Sequence, residues 1–469
     1  MKFLDRTDEM ARLDRLAARE APGLVVLYGR RRIGKTRLLL EWCGRHGGVY
    51  TVADLSSAEL QRSYFAAAVS RRLEGFSDLV FRDWRGLLSR LAREAAAAQW
   101  RGPLVVDELP YLVGTSPELP SVLQSWVDHE AREAGLLVAV AGSSQRMMQG
   151  LVLSADAPLF GRADEILALG PLEPRYLREA LGTRSTVDLV ESFAAWGGVP
   201  RYWELASTLK GNARSRVERL VLDPLGPLHR EPDRLLLEEI PSALDVRPVL
   251  DAIGAGAHRV SEIAGRVGRP ATSMSRPLDR LLGLGLARRE VPFGEPEKSS
   301  RRSLYKVDDP FFRLWFRTVA PHRAQLASGS RAARAALLSR FWNGLVAQAW
   351  EDICRAGIPR LETTALQELG PWGAASRWWK GSAPEWDAVS ESVDGRHLLL
   401  GEVKCSARIL PAREIERLAR ALAARTPPPL PGRFSKHEIV RALFVPEVGP
   451  RVSHLIQGTV VVTGSDLLQ

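Results

Sequence analysis

The stretch Gly29-Arg30-Arg31-Arg32-Ile33-Gly34-Lys35-Thr36 decides the fold of the first part of this chain. It fits the pattern G-x-x-x-x-G-K-[ST] and follows the apolar run LVVLY at residues 24–28. A buried strand that ends in a glycine-rich turn and opens a helix points several backbone N–H groups at one place, where a phosphate can bind. Lys35 would reach the β- and γ-phosphates, and the Thr36 hydroxyl would bind Mg²⁺. The stretch predicts a nucleoside-triphosphate site for ATP and Mg²⁺, with a plain strand–turn–helix corner as the alternative.

Around this loop, apolar runs alternate with helical patterns. This alternation is typical of an α/β domain in which helices cover a parallel sheet. The strand candidates are residues 24–29, 48–53, 103–108, 136–143 and 165–172. The helical patterns between them cover residues 58–74, 84–99 and 119–134.

The third strand candidate ends in two acids, Asp107 and Glu108. After a phosphate loop, such a pair fits the second half of a nucleotide-hydrolysing site. Asp107 would hold Mg²⁺ directly or through water, and Glu108 would orient and activate the attacking water. The alternative is a strand that ends in ordinary surface charge.

The fourth strand candidate ends in AGSS at residues 141–144, where Ser143 or Ser144 could sense the γ-phosphate. A plain turn is about equally expected there. Beyond it, PLFGRADE contains Arg162. An arginine that reaches a neighbouring subunit's γ-phosphate stabilises the charge of the transition state, but chemistry alone does not select Arg162 among 57 arginines.

A set of motifs in this region resembles the archaeal-type ATPase family, P-loop proteins close to the AAA+ and STAND groups. The motifs are FLDRTDEMARL, GRRRIGKT, LVVDELPYLV, VAGSSQRMM and PLFGRADEILALGPL. The resemblance implies that Arg162 is an arginine finger acting in a homo-oligomer with ATP at subunit interfaces. It also implies a helical lid over residues 173–206 with its turn at 197–200, within a first domain of residues 1–225.

Residues 226–325 are predicted to form a winged helix-turn-helix domain. Three helical segments, 247–256, 258–269 and 270–287, precede two strand-like runs around the loop EPEKSS. The third helix would enter a DNA groove and the wing would meet phosphates. The residues placed near DNA are Thr272, Ser273, Ser275, Arg276 and Arg280 in the helix, and Lys298, Arg301 and Arg302 in the wing. A protein–protein or interdomain role is the alternative.

The last domain, residues 326–469, contains a predicted hairpin with strands 386–391 and 397–405. Asp387 opens the first strand, and Glu402 and Lys404 close the second on one face, because residues two apart on a strand face the same side. Two carboxylates and a lysine can hold Mg²⁺ and orient a water for phosphodiester attack. Glu351, in the amphipathic segment 341–357, could add a third carboxylate.

This order of helix Glu, strand Asp and Glu-x-Lys resembles the PD-(D/E)xK nuclease superfamily, and the nuclease-like domain often fused behind archaeal-type ATPases. The resemblance implies an α/β restriction-endonuclease-like fold. The alternative is an E-x-K on an edge strand that carries only solubilising charge.

Composition sets the remaining expectations. The chain has 469 residues, a net charge of +10 and a pI near 9.8, which favour a polyanionic partner such as DNA. A GC-rich genome that encodes basic residues as arginine would explain this composition equally well. Three separated cysteines suggest a reducing compartment. With no signal-peptide core and no apolar run near the ~18 residues of a membrane span, a cytoplasmic protein is expected.

Together these features predict an ATP-binding and ATP-hydrolysing protein that acts on DNA and couples turnover to a metal-dependent nuclease module. The alternative is an ATP-dependent regulatory switch whose nuclease-like domain binds DNA or protein without cutting.

Overall fold

A computed structural model of the chain describes residues 3–183, 185–239, 246–297, 300, 302–361, 366, 369–406, 408–450 and 452–468. They form two compact units. The first unit ends at Leu172 and also includes Val199–Arg201, and the second contains the rest of the described chain from Glu173 onwards. Most of the stretch predicted as a lid of the first domain therefore groups with the second unit. None of the helices in the described ranges is long and apolar enough to cross a membrane.

The first unit is built on a five-stranded parallel sheet in the order β2-β3-β4-β1-β5. Its strands are β1 Gly23–Tyr28, β2 Val49–Val52, β3 Leu104–Asp107, β4 Leu137–Gly142 and β5 Glu165–Ala168. Its helices are α1 Thr7–Ala18, α2 Lys35–His46, α3 Ala58–Val69, α4 Trp84–Ala97, α5 Leu109–Thr115, α6 Leu119–Asp128, α7 Glu130–Glu133 and α8 Gln145–Met148. The prediction of a parallel α/β sheet is confirmed.

Apolar residues on both faces of β1 explain why this sheet is buried between two helical layers. Val25 and Leu27 pack with α1 and α2, whereas Leu24 and Val26 pack with the opposite layer, which includes α3, α4 and α6. A strand buried on both faces reads as a continuous apolar run instead of an alternating one. All strands of the sheet run parallel, so their carboxyl ends lie at one edge, where Asp107 ends β3.

The second unit begins with a helical part followed by a long helix. The helices are α9 Leu177–Leu181, α10 Thr186–Trp196, α11 Pro200–Ser207, α12 Ala213–Val217, α13 Glu231–Glu239, α14 Arg247–Gly254, α15 Val260–Val267, α16 Ser275–Gly283, α17 Pro310–Thr318, α18 Arg323–Ser328 and α19 Arg331–Gly357. The first two residues of α11 group with the first unit. Helix α19 starts ten residues before the predicted segment at 341. Short 3-10 and π turns occur in both units. They cover Phe76–Asp78 and Gln149–Leu153 in the first, and Pro174–Tyr176, Glu218–Leu222, Ala271–Met274, Ala320–His322, Ile358–Arg360 and Gly432–Phe434 in the second.

Helices α14, α15 and α16 are followed by an antiparallel pair, β6 Ala287–Glu290 and β7 Leu304–Val307. The segment between α14 and α15 joins this pair, because the backbone N–H of Tyr305 donates to the carbonyl of His258 at 2.8 Å. Lys298 and Arg301, predicted to be in the connecting wing, lie outside the described residues.

The chain ends in a six-stranded mixed sheet in the order β12-β13-β11-β10-β9-β8. Its strands are β8 Ser376–Trp378, β9 Trp386–Glu391, β10 His397–Val403, β11 Glu438–Val445, β12 Leu455–Ile456 and β13 Thr459–Thr463, with helices α20 Ala412–Ala423 and α21 Gly464–Leu467. Strands β8, β9 and β10 pair antiparallel, and β10 pairs parallel with β11. The predicted hairpin is present, although β10 ends at Val403, just before Lys404.

A buried cluster of charges fastens the β6–β7 pair to helix α19 and strand β8. Asp352 of α19 accepts from Arg288 of β6 at 2.7 Å, from Arg355 at 2.8 Å, and also from Arg313 of α17. Glu290 of β6 pairs with Lys306 at 2.8 Å and approaches Arg377 of β8. The pair is therefore packed against the C-terminal sheet by ion pairs that are themselves buried.

Candidate functional site

The loop between β1 and α2 has the backbone shape that a phosphate site requires. Gly29 has φ 153°, and a Cβ there would lie 2.5 Å from the carbonyl oxygen of Leu169. Gly34 caps α2 with φ 97°, a backbone conformation that residues other than glycine rarely adopt. Two glycines in these conformations let the backbone curl around one point and turn the first N–H groups of α2 towards it.

Lys35, the first residue of α2, is buried with its ammonium folded into the loop. Its Nζ donates to the carbonyl of Gly29 at 2.8 Å and to that of Arg30 at 3.2 Å. The side chain is held at the centre of the predicted phosphate cradle, within reach of an anion bound by the loop.

Three groups of the chain hold Asp107, which is fully buried. The hydroxyls of Thr36 and Tyr50 each donate to its Oδ2 at 2.7 Å. The backbone N–H of Glu108 donates to Oδ1 at 2.9 Å. Burial and the neighbouring Asp107 raise the pKa of Tyr50, so its hydroxyl stays protonated and donating at neutral pH.

Glu108 directs its carboxylate at Ser143, at the end of the neighbouring strand β4. The Ser143 hydroxyl donates to Oε1, and its backbone N–H donates to Oε2 at 3.2 Å. Glu108 has φ 55°, an uncommon conformation for a residue other than glycine. Ser144 instead accepts from the N–H of Met147 at the start of α8. Of the two predicted serines, the structure brings Ser143 to the site.

The N-terminal segment supports the loop through Arg6, a residue that sequence reasoning did not single out. Its guanidinium donates to the carbonyl of Ile33 at 3.0 Å and to that of Gly170 at 2.6 Å. Arg31 of the loop donates to the Tyr111 hydroxyl at 2.6 Å. The position of Arg6 inside FLDRTDEM, a motif of the family resemblance, was the signal that could have pointed to it.

In the second unit, the ends of β9 and β10 bring Asp387 next to Glu402 and Lys404. The Asp387 Oδ2 accepts from the backbone N–H of Val403, the residue between the other two, at 2.9 Å. Lys404 Nζ pairs with Glu402 Oε1 at 2.6 Å. Burial and the negative charges of Glu402 and Glu351 raise the pKa of Asp387 to about 6, against the stabilising N–H of Val403.

Glu351, on α19, is not drawn into this pair as a third ligand. Its carboxylate is paired with Arg355, which also donates to the carbonyl of Asp387 at 3.0 Å. Within the described ranges, no group of three or more His, Cys, Asp or Glu is arranged to hold a metal ion. The predicted set of three carboxylates is therefore not assembled in this structure; Asp387 and Glu402 remain neighbours.

Residues 3–204 match a family described as an ATPase domain predominantly from Archaea. The first unit is an archaeal-type P-loop ATPase domain. Over 67% of its length the chain is similar to the Walker-type ATPase of Pyrococcus abyssi, with 18% identity, 96% of that chain covered and a TM-score of 0.52. Similarity to the ORC2 protein of Aeropyrum pernix, solved as ADPNP and ADP complexes, has 15% identity over 73% of this chain and 95% of that one, with a TM-score of 0.40.

Outside the ATPase domain, residues 315–417 match a family of archaeal and bacterial proteins of unknown function. The chain is also 24% identical over 421 residues to an uncharacterized protein of Methanocaldococcus jannaschii, covering 90% of this chain and 91% of that protein. The match to the family of unknown function lies within the second unit.

The residues of the ATPase domain fit a magnesium ion. The hydroxyl oxygen of Thr36 and a carboxylate oxygen of Asp107 lie 2.7 Å apart beside the phosphate loop. Mg²⁺ prefers oxygen ligands and is usually held by one or two carboxylates together with substrate phosphates and waters. The two oxygens therefore suit the cation that accompanies ATP.

Arg162 of the ATPase domain is paired within its own chain. Its Nε donates to both oxygens of Asp128, at 2.8 and 3.0 Å, and Nη1 donates to the carbonyls of Pro158 and Phe160. The side chain is about a quarter exposed. These contacts fix its orientation on the loop after the π turn, and its predicted action on another subunit stays a prediction.

Proposed function

We propose that this protein is an ATP-driven enzyme that acts on DNA, in which ATP turnover controls a divalent-metal phosphodiesterase site in the second unit. The observation that carries the proposal is that Asp387, near the start of β9, lies beside Glu402 and Lys404, near the end of β10. Its components are the ATP site, a basic helical face and this carboxylate–lysine site.

In the ATP site, Lys35 would bind the β- and γ-phosphates, and Thr36 and Asp107 would hold Mg²⁺. Backbone groups from Gly29 to Gly34 would surround the phosphates. Glu108 would accept a proton from the attacking water, and its contact with Ser143 would relay the state of the γ-phosphate. Lys35→Ala should abolish ATP binding, whereas the matched change of the exposed Lys210 to alanine should not. Normal affinity in the Lys35 variant would contradict this assignment.

The DNA-binding surface is proposed to be the exposed face of α15 and α16. The order of α14, α15 and α16 before the β6–β7 pair supports a winged helix, in which the third helix would enter a groove. Exposed candidates on this face are Thr272, Ser273, Ser275 and Arg276, with Arg280 half-buried beside them. Ser273 already donates to the carbonyl of Pro270, so it contributes less freely than its neighbours.

Arg302 of the wing, predicted to meet DNA phosphates, has partners within its own chain, and its contact with phosphate stays a prediction. Arg302 pairs with Glu295 and donates to the carbonyl of Trp379, and Phe293 of the same segment packs against Phe434 of the C-terminal sheet region with the two rings tilted. These contacts tie the β6–β7 pair to the C-terminal sheet region, whereas the candidate residues of α16 and the turn before it are exposed or half-buried. The proposal therefore assigns DNA to the helices and gives the β6–β7 pair an interdomain role.

The phosphodiesterase site would consist of Asp387, Glu402 and Lys404, and the order of the strands and helix around them supports a PD-(D/E)xK fold. The order β8, β9, β10, α20, β11 places an antiparallel hairpin before a helix and a parallel strand. Lys404 is partly exposed and Glu402 is mostly buried, so the site opens to solvent on its lysine side.

Two neighbouring carboxylates fit Mg²⁺, which keeps most of its water shell. Burial, together with the neighbouring Glu402 and Glu351, raises the pKa of Asp387, and a divalent cation beside its carboxylate would oppose that effect. A bound Mg²⁺ would supply charge to stabilise the transition state and to acidify a water. Asp387 and Glu402 would hold it, and Lys404 would orient the attacking water beside the phosphate.

The test is Mg²⁺- or Mn²⁺-dependent cleavage of plasmid and single-stranded DNA, with and without ATP. Glu402→Ala and Asp387→Asn should each remove cleavage while leaving ATP hydrolysis near normal. Glu416→Gln, a change at an exposed acid of α20, is the matched control and should cleave like the parent chain. Cleavage that survives both site variants would show that another site, or a contaminant, cuts the DNA.

A second candidate function is an ATP-dependent switch whose C-terminal unit binds DNA or protein without cutting. It is favoured by one observation: both oxygens of Glu402 are paired with cations of the chain, Lys404 and Arg425. Absence of cleavage with every divalent metal, together with intact ATP turnover, would support this function and overturn the first.

A further inference from the structure

Arg425 lies in the carboxylate–lysine site although it is 21 residues beyond Lys404 in sequence. It follows the end of α20 and directly precedes the proline-rich stretch TPPPLPG. Its Nη1 donates to Glu402 Oε2 at 2.5 Å, and its Nη2 donates to the carbonyl of Glu385. The guanidinium carbon also lies 4.2 Å from the centre of the Trp386 ring, next to Asp387 in sequence.

These contacts leave Glu402 fully engaged by the protein itself. One carboxylate oxygen is paired with Lys404 and the other with Arg425. A divalent cation that binds Glu402 competes with one of these two ion pairs. If the Arg425 ion pair opens, its guanidinium would stay nearby, because it also contacts the Trp386 face and the Glu385 carbonyl.

We infer that Arg425 is the phosphate-binding residue of this site and rests on Glu402 until a divalent cation replaces it. A guanidinium presents a planar set of donors that matches the oxygens of a phosphodiester. Once displaced, Arg425 would remain stacked on Trp386, beside the two carboxylates, where the scissile phosphate of a nucleic acid must lie. The inference rests on the proposed function, since it names how that site receives its substrate.

The anchoring of Arg425 favours a movement of its side chain alone. Arg441 of β11 donates to the backbone carbonyl of Arg425 at 3.2 Å, so the backbone is tied to the sheet. The charged groups around the Glu402–Arg425 pair come from several elements: Lys404 after the end of β10, Asp387 on β9, and Glu385 just before β9, which pairs with Arg377 of β8. The site thus exchanges one cation, Arg425, for another, the metal ion.

The first measurement is Mn²⁺ binding to the full chain without nucleotide, followed by electron paramagnetic resonance. Arg425→Gln should bind Mn²⁺ roughly tenfold more tightly than the parent chain, the change expected when a charge-assisted hydrogen bond no longer competes. Asp387→Asn should remove this binding, which assigns it to the site. Arg433→Gln, an exposed arginine of the same segment that stacks on Phe434, is the matched control and should behave like the parent chain.

The second measurement is the affinity for a short fluorescent DNA duplex in Ca²⁺. Arg425→Gln should weaken binding roughly tenfold by loss of one charged phosphate contact. Arg425→Lys keeps the positive charge but lacks the planar set of guanidinium donors, so its affinity for the duplex should lie between those of the parent chain and Arg425→Gln. Arg425→Gln should therefore bind Mn²⁺ more tightly and DNA more weakly than the parent chain. A folding defect would weaken both.

Each outcome has a distinct meaning. Equal Mn²⁺ affinity in the parent chain and Arg425→Gln would overturn the inference and leave the proposed function standing. Tighter Mn²⁺ binding with unchanged DNA affinity would overturn the phosphate-binding role. If no variant shows Mn²⁺ binding that depends on Asp387, the proposed metal site itself fails, and the inference fails with it.

Discussion

Asp107 owes its orientation to a hydroxyl that no nucleotide-binding motif includes. Thr36 and Tyr50 donate to the same carboxylate oxygen, and both distances are 2.7 Å. Thr36 belongs to the phosphate loop, whereas Tyr50 comes from β2 at the edge of the sheet, which pairs with β3. When Thr36 turns to Mg²⁺, Tyr50 is the remaining hydroxyl that can keep the carboxylate in place.

Tyr50→Phe should therefore raise the Mg²⁺ concentration needed for half-maximal ATP hydrolysis, by roughly tenfold, because partners that orient a metal ligand typically contribute that much to affinity. ATP binding in EDTA should stay unchanged, since the loop is intact. Tyr64→Phe, on the exposed side of α3, is the control. An equal loss of ATP binding with and without Mg²⁺ would point to a folding defect instead of a positioning role.

The raised pKa of Asp387 predicts that this residue lowers the stability of the fold as the pH rises. Its pKa is about 6 in the folded chain and 3.8 in the reference state. Below pH 3.8 the carboxyl is protonated in both states and has no effect. As the pH rises to 6 the unfolded state loses its proton first, so folding becomes less favourable, by roughly 1–3 kcal/mol above pH 6.

Asp387→Asn should accordingly stabilise the second unit at pH 8 by roughly 1–3 kcal/mol and have little effect near pH 4. Urea unfolding at the two pH values measures the difference, with Asp279→Asn on the exposed face of α16 as the control. Mg²⁺ should stabilise the parent chain and not the variant. A stabilisation that is the same at both pH values would argue against a buried carboxylate as its source.

At the scale of elements, the sequence predicted those features that depend on local pattern. The strands around β1 and the hairpin of β9 and β10 lie within a few residues of their predicted positions, because apolar runs and turn residues report burial directly. The docking of β6 and β7 on the C-terminal sheet was not predicted. It depends on charges such as Arg288, Glu290 and Asp352, whose isolated positions in sequence look like ordinary surface polarity.

The same limit explains which site residues were missed. Lys35 and Asp107 belong to spaced motifs, and Glu402 and Lys404 stand two apart on one strand. Tyr50 and Arg425 reach their sites only through the order of strands in a sheet and the end of a helix. No periodicity in the chain encodes those neighbours, so only the three-dimensional arrangement shows them.

The buried charge cluster around Asp352 predicts a large stability effect at one position. Burial would raise the pKa of Asp352, but Arg313, Arg288 and Arg355 outweigh it and hold the pKa below its usual range. Asp352→Asn would leave three arginines facing a neutral side chain. The second unit should lose roughly 3–5 kcal/mol of unfolding free energy, as expected when one partner of a buried ion pair is removed.

Urea unfolding at pH 7 measures this loss. Glu416→Gln, which removes an exposed ion pair with Arg420 at 3.9 Å, is the control and should cost less than about 1 kcal/mol. Similar effects of the two changes would mean that the cluster is solvated and does not fasten β6 and β7 to helix α19. Because Arg355 also contacts Asp387, the Asp352 variant should additionally lower cleavage at the proposed site.

At the scale of the whole molecule, two compact units share one chain that passes between them at three points. The chain leaves the ATPase domain after Leu172, returns for Val199–Arg201 and leaves again. Within the first unit, a side chain at Gly34 would lie 3.7 Å from Pro200, so the returning segment lies beside the phosphate loop. The segment beside the phosphate loop is therefore covalently continuous with the second unit on both sides.

Whether ATP is hydrolysed between subunits can be decided with Arg162. Its ion pair with Asp128 is partly exposed, so Arg162→Ala should cost less than about 1 kcal/mol of stability. Turnover should nevertheless fall by roughly 10³-fold or more if Arg162 supplies charge to the transition state of a neighbour, while ATP binding stays near normal.

Mixing this variant with Lys35→Ala gives the decisive result. Each is inactive alone, but the Lys35 variant still carries Arg162 and can complete the Arg162 variant's ATP site. Recovered turnover in the mixture, dependent on total protein concentration, is expected for an arginine acting between subunits. A mixture as inactive as its components would place Arg162 in its own chain, paired with Asp128 as the structure shows it.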